Sequence, residues 1–168
     1  MSKTATSENN QYLTFILADE IYALDIRRVR EVLGLTAITK IPRVPEFMRG
    51  VINLRGRAVP VLDMRLKLSM DSAEDTENTC IIITEIAGEG QETVIGALVD
   101  SVREVYEMDP ATIDDTPKMG AAVDTAFISG MGRQGEDFVI IFDIEKIFSA
   151  EELAAVQDVA GDEADQAA

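Results

Sequence analysis

A chain of 168 residues, 46% of them hydrophobic, can build one domain with a substantial core, or two very small modules that share one. No apolar run reaches the ~20 residues of a membrane helix, the N-terminal MSKTATSENNQ lacks the apolar stretch of a secretory signal, and the lone Cys80 allows no intrachain disulfide, so a cytoplasmic location without membrane insertion is the default reading. A net charge of -16 argues against a binder of nucleic-acid phosphates, and the absence of histidine removes Ser/His and Cys/His nucleophile pairs and any structural zinc set.

Residues 1–11 are polar and read as a flexible leader. YLTFIL (12–17) is β-branched and aromatic and predicts a strand; a tight turn at Asp19-Glu20 and a return strand IYALDI (21–26) make a hairpin. VREVL (29–33) alternates as a third strand, although residues 27–33 also fit one helical turn. Pro42 and Pro45 bracket a loop. GVINLRG (50–56) and AVPVLDM (58–64) predict a second hairpin around Gly56-Arg57, with Pro60 marking an edge or a bulge and MRLKL closing in a helical turn. The acidic DSAEDTEN (71–78) is a connection. Strands resume at 79–86, 93–99 and 102–108, then at AFISGMG (126–132) and DFVIIFDI (137–144) around a turn at Gly135. Residues 149–158 predict a short helix, and 159–168 a disordered acidic tail. Helix signals are too few for βαβ crossovers, so the fold class is all-β.

An internal repeat organises these strands. Val29-Arg30-Glu31-Val32 recurs as Val102-Arg103-Glu104-Val105, a shift of seventy-three that also sets Leu24 and Ile26 against Ala97 and Val99. Val51-Ile52 with Gly56-Arg57 resembles Phe127-Ile128 with Gly132-Arg133, and Val59–Asp63 resembles Val139–Asp143 at a shift of eighty. Two copies of one short-strand unit follow. Each is too small to bury much apolar surface alone, so the expected architecture is two five-stranded barrels packed side by side, the first over about 12–70 and the second over about 79–148, with a groove between them.

Charge is uneven along this plan: residues 12–70 net +4, residues 71–150 net -14 and residues 151–168 net -6. Asp71, Glu74, Asp75 and Glu77 lack the spacing of a calcium loop and read as solvated. Asp63 and Asp143 end apolar strands and read as turn or cap acceptors. Cys80 leads the apolar run CIII and reads as a core residue. YLTFIL is apolar on both faces, which inter-copy packing and a docking surface in the first copy can each explain. Arg55, at a hairpin end and without an arginine at its repeat counterpart Met131, stands out among surface charges. Pairing with Glu31 across the groove is the structural alternative for both residues.

YLTFILADEIYALDIRRVREVL and ITKIPRVPEFMRGVINLRGRAVPVLDMRLKL resemble the first half of the CheW family, and GALVDSVREV with FISGMGRQGEDFVIIFDIEKIF resembles its second half, together covering about residues 12–148. The resemblance implies SH3-like barrels and a non-catalytic adaptor in bacterial chemotaxis, monomeric outside the signalling array and recruited to membrane-associated receptor arrays, with no cofactor and no metal. It implies two partners: the regulatory domain of the histidine kinase CheA, and the cytoplasmic hairpin tip of methyl-accepting chemotaxis receptors. By position it assigns Leu13, Ile26 and Val29 to kinase binding, and Glu31, Arg55, Val99 and Val102 to receptor binding. The competing reading is a carboxylate-dependent enzyme on a duplicated small-barrel fold.

Overall fold

The computed structural model of the chain describes residues 11–68, 70–71, 73–87, 92–109, 112–113 and 127–147. Residues 1–10 of the expected leader, the helix expected over 149–158 and the tail 159–168 lie outside the described residues. Gln11 already belongs to the first strand.

The strands are β1 (Gln11–Leu17), β2 (Glu20–Asp25), β3 (Val29–Gly34), β4 (Met48–Leu54), β5 (Arg57–Asp63), β6 (Cys80–Ala87), β7 (Glu92–Val99), β8 (Ser101–Glu107), β9 (Ile128–Gln134) and β10 (Asp137–Phe142). A 3-10 turn, Ile26–Arg28, links β2 to β3, and two single-turn helices, α1 (Met64–Lys67) and α2 (Ile144–Ile147), follow β5 and β10. The all-β expectation therefore stands. Two hairpin turns sit one residue earlier than expected. Ala18-Asp19 (φ 50° and 68°) and Arg55-Gly56 (φ 53° and 86°) form the corners, because a two-residue turn that matches strand twist needs positive φ at both positions. Glu20 pairs with Leu17 and Arg57 with Leu54, which places both within their strands.

The strands form two five-stranded sheets, in the orders β8-β1-β2-β10-β9 and β3-β6-β7-β5-β4. We call the SH3-like barrels they build barrel I and barrel II. This corrects the expected division at residues 12–70 and 79–148: the sheets are not the two halves of the chain. Barrel I joins β1 and β2 of the first copy to β8, β9 and β10 of the second, and barrel II joins β3, β4 and β5 to β6 and β7. Each copy lends its last three strands to the other's barrel. The crossings are short. Asp25 caps the 3-10 turn by accepting the Arg27 backbone N–H (2.9 Å) and turns the chain out of barrel I, while Asp100 alone separates β7 from β8.

Pairing registers also define which residues of the copies are equivalent. Val61 opposite Gly96 repeats as Ile141 opposite Ala23, and Met48 opposite Leu62 repeats as Ile128 opposite Phe142. The shifts of seventy-three and eighty hold. The middle match slides by four residues: Met48 and Gly50 correspond to Ile128 and Gly130, so the counterpart of Arg55 is Gly135, not Met131. Apolar residues occur throughout both hairpins, so local similarity alone could not fix that register. Pro60 lies in an interior strand rather than at an edge, tolerated because the parallel ladder of β5 with β7 begins only at Val61.

Period-two alternation explains why the strands are apolar on both sides. In β1, Tyr12 enters the barrel I interior with Ala23, Val139 and Ile141. Leu13, Phe15 and Leu17 face the other way, into a core shared by the two barrels. That core uses the same positions of each copy: Leu13 and Ile82, Leu17 and Ile86, Tyr22 and Ile95, Leu62 and Phe142, Met64 and Ile144. Phe15, Tyr22 and Phe142 cluster in it, with the Tyr22 and Phe142 rings stacked at 4.8 Å. Barrel II keeps its own interior of Ile52, Val61, Ile81 and Ile83.

Two ion pairs flank the shared core. Arg65 of α1 holds Asp100 through Nε (2.8 Å) and Nη2, and the same carboxylate accepts the Ala18 backbone N–H (2.9 Å). In the other copy Glu145 of α2, the counterpart of Arg65, meets Arg28 (2.5 Å), the neighbour of the residue equivalent to Asp100, with the charges reversed. Asp63 and Asp143 act as the expected caps, accepting the backbone N–H of Leu66 (3.3 Å) and Glu145 (3.1 Å). Cys80 is half-buried, and its thiol donates to the Asn78 carbonyl (3.2 Å).

Candidate partner-binding surface

Glu31 and Arg55 meet. Arg55 Nη1 and Nη2 donate to the two carboxylate oxygens of Glu31 at 2.7 and 3.0 Å, a bidentate pair. Its place in the sheet gives it meaning: β3 and β4 are the terminal strands of barrel II, so a bond from β3 to the β4–β5 turn draws the two ends of the sheet together. Barrel I repeats the device in weaker form, where Gln134 at the end of β9 donates to Glu104 on β8 (3.0 Å). The arginine hydrogen bond holds the Glu31 carboxyl below the usual range and, reciprocally, raises the Arg55 guanidinium. The pair spans the seam of barrel II, not a groove between barrels, and 72% of the Arg55 side chain remains open to solvent.

Arg55 occupies the left-handed region (φ 53°), which costs a residue with a Cβ. Its counterpart Gly135 has a similar φ of 64° without that cost. Strained backbone at an exposed, charge-bearing corner is a pattern seen at functional sites.

The remaining candidates sort by burial. Leu13 and Val99 are buried in the shared core. Ile26, Val29 and Val102 are half-buried and pack against that core from its margin. The registers make Ile26 equivalent to Val99 and Val29 equivalent to Val102, so the kinase and receptor sets partly occupy matching positions at the two crossings between barrels. Val99 and Val102 face the shared core, whereas Glu31 lies on the face of β3 that pairs with Ile83, toward the barrel II interior. The four receptor candidates therefore do not form one patch.

Three concavities among the described residues each lie within one barrel. One, of about 270 Å³, opens at the barrel II seam and is lined by Arg30, Glu31, Leu54, Arg55, Arg57, Val59, Ile83 and Val94. Two apolar side chains on and just beyond the edge strand β3 are exposed to solvent. Val32 on β3 is 39% exposed and Leu35, just beyond its end, 40%. Val105, the counterpart of Val32, is 49% exposed. The repeated VREV carried that signal: a valine conserved between copies yet on the outer edge of each barrel serves neither interior.

The chain matches the family model for the CheW-like domain over residues 11–152. It is 36% identical to the chemotaxis protein CheW of Klebsiella aerogenes over 150 residues, covering 89% of this chain and 88% of that protein. A probable chemotaxis protein CheW of Rhizobium etli is 29% identical over 153 residues, covering 91% of this chain and 96% of that protein. The crystal structure of the scaffolding protein TtCheW from Thermoanaerobacter tengcongensis superposes with a TM-score of 0.76 at 35% identity, over 86% of this chain and 95% of that one. With the interleaved barrels, the seam pair and a family match spanning every described residue, the chain belongs to the CheW-like domain family.

Proposed function

We propose that this chain is a non-catalytic chemotaxis scaffold that couples methyl-accepting chemoreceptors to the histidine kinase CheA. The observation that carries the reading is the family match over residues 11–152. Solvent-facing chemistry supports it. The barrel II seam offers a hydrogen-bonded charge pair next to the exposed apolar Val32 and Leu35, a mixture suited to a helical partner. The receptor hairpin tip docks there, around Glu31 and Arg55. Val99 from within the shared core and Val102 from its margin act by setting the orientation of the barrels. The CheA regulatory domain docks over the β2–β3 crossing, at Ile26 and Val29, with Leu13 supporting them from beneath. Because both surfaces ride on one shared core, a receptor and a kinase bound together are held in fixed apposition. The chain works in the cytoplasm, joins membrane-associated receptor arrays through these partners, and is a monomer outside them. No helix among the described residues is long and apolar enough to cross a membrane.

The test is binding of a receptor signalling fragment and of the CheA regulatory domain, each measured by calorimetry. Arg55→Asp removes the seam bond and reverses charge, so receptor affinity falls by at least about tenfold while kinase affinity is retained. Equal loss of both in a folded protein overturns the assignment of the two surfaces.

A further inference from the structure

The seam concavity of barrel II has an opposite-charge twin. Its floor is Leu54, Val59, Ile83 and Val94, and its rim carries Arg30, Arg55 and Arg57 against the single acid Glu31. Arg30 meets Glu85 at 3.4 Å and Arg55 is bound to Glu31, whereas Arg57 makes no ion pair among the described residues. The equivalent mouth of barrel I, of about 400 Å³, is edged by Asp19, Glu20, Glu136 and Asp137 against Arg103. By register, Asp137 replaces Arg57 and Glu136 replaces Gly56. The repeat thus presents related mouths of opposite sign, and an acidic ligand discriminates between them.

The chain supplies such a ligand. Residues 148–168 carry six acids and no Lys or Arg, with Leu153 and Val156 among them. The segment departs from α2, where Glu145 is held by Arg28, two residues before the rim residue Arg30. Reach is no obstacle, since even with the expected helix over 149–158 this length of chain spans up to ~50 Å.

We propose that the acidic segment after α2 occupies the basic mouth of barrel II and competes with the partner that binds there. Individual exposed charge pairs are weak. Tethering offsets this, because a ligand on a short linker is present at millimolar effective concentration, so an intrinsic affinity of only about 0.1–1 mM keeps the mouth substantially filled. The consequence for receptor binding rests on the receptor site proposed above; the contact itself does not.

Both are read on the full chain with Cys80→Ser and a nitroxide at Ala167→Cys. At about 50 mM salt, amide broadening is expected at residues 30–31 and 54–57. It is expected to vanish in Arg57→Glu and at about 0.5 M salt, where the Debye length is roughly 4 Å. Broadening spread evenly, centred on residues 19–20 and 136–137, or indifferent to Arg57→Glu overturns the proposal whatever the receptor does. A stop after Phe148 is expected to tighten receptor-fragment binding by about three- to tenfold at low salt and to have no effect at high salt. A segment mapped to the mouth whose removal leaves receptor affinity unchanged overturns the competition, and counts against the receptor site rather than the contact.

Discussion

Replacing Phe15 by alanine tests whether the two barrels are one cooperative unit. Phe15 is fully buried on the shared-core face of β1 and packs against Tyr22 and Phe142 at ring separations of 6.1 and 6.3 Å. Removing a buried phenylalanine costs about 3–5 kcal/mol, transfer and cavity together. A domain of this size has ~5–15 kcal/mol in total and loses about 2–4 °C of Tm per kcal/mol, so the melting point should fall by roughly 6–20 °C. The site of that loss matters as much as its size. Phe15 lies in barrel I, yet every barrel contains strands of both copies and the core beneath Phe15 belongs to both. The variant should therefore melt in a single transition, with amide protection in β2 and β6 lost together by hydrogen exchange. If Ile81–Ile83 of barrel II keep full protection at a temperature where β1 and β2 have exchanged, the barrels are energetically separate and the argument from the shared core fails.

Three further expectations follow from individual contacts. Arg55→Gly keeps the left-handed corner without the Cβ penalty, so its Tm should match or slightly exceed that of the parent even though the Glu31 bond is lost; a clear drop in a thermal scan would show the seam pair to be structurally essential. Gly50→Ala places a Cβ 2.1 Å from the Thr39 carbonyl oxygen at φ 144°, and a loss of more than ~2 kcal/mol is expected from urea titration; a neutral result would mean the β4 bulge is not held by that contact. Burial pushes the Asp100 carboxyl up, but the Arg65 hydrogen bond and the Ala18 N–H outweigh it and leave it below the usual aspartate range. A folded-state value below the unfolded one stabilises the protein above the ordinary aspartate pKa of ~3.9, and that contribution is lost as pH falls through the folded value. Asp100→Asn should therefore flatten the Tm profile below about pH 4, and an unchanged acid limb would rule out this carboxylate as its source.

Much of the fold was legible because strand identity is a local property. Alternation in YLTFIL, the hairpin spacing and the repeated VREV predicted nearly every strand, and the pairing of Glu31 with Arg55 was anticipated as an alternative to a free arginine. The placement of that pair was not, since its role depends on β3 and β4 being the two ends of one sheet. The corners at Ala18-Asp19 and Arg55-Gly56 were also missed by one residue. Positive φ at alanine, aspartate and arginine is imposed by the strands on either side, and residue preference alone favours other positions. The candidate sites divided along the same line. Leu13 and Val99 read as partner contacts from the family resemblance and are buried, whereas Val32, read as an ordinary strand residue, and Leu35, beyond the end of that predicted strand, are exposed.

By itself the sequence determined that this is a duplicated, all-β, histidine-free chain of the CheW type, because composition, period-two patterning and recurrence are written residue by residue. Only the tertiary structure decided which strands share a barrel, which apolar faces meet in the shared core, and which charges stand at each mouth. Those outcomes depend on pairings between residues up to ninety or more positions apart, such as Tyr12 with Tyr106 and Ile140 with Tyr22. A short crossing such as Ile26–Arg28 or Asp100 can turn the chain back into its own sheet or across to the neighbour. Burial of both faces of β1 and β6, one inside a barrel and one between barrels, is what selects the second course.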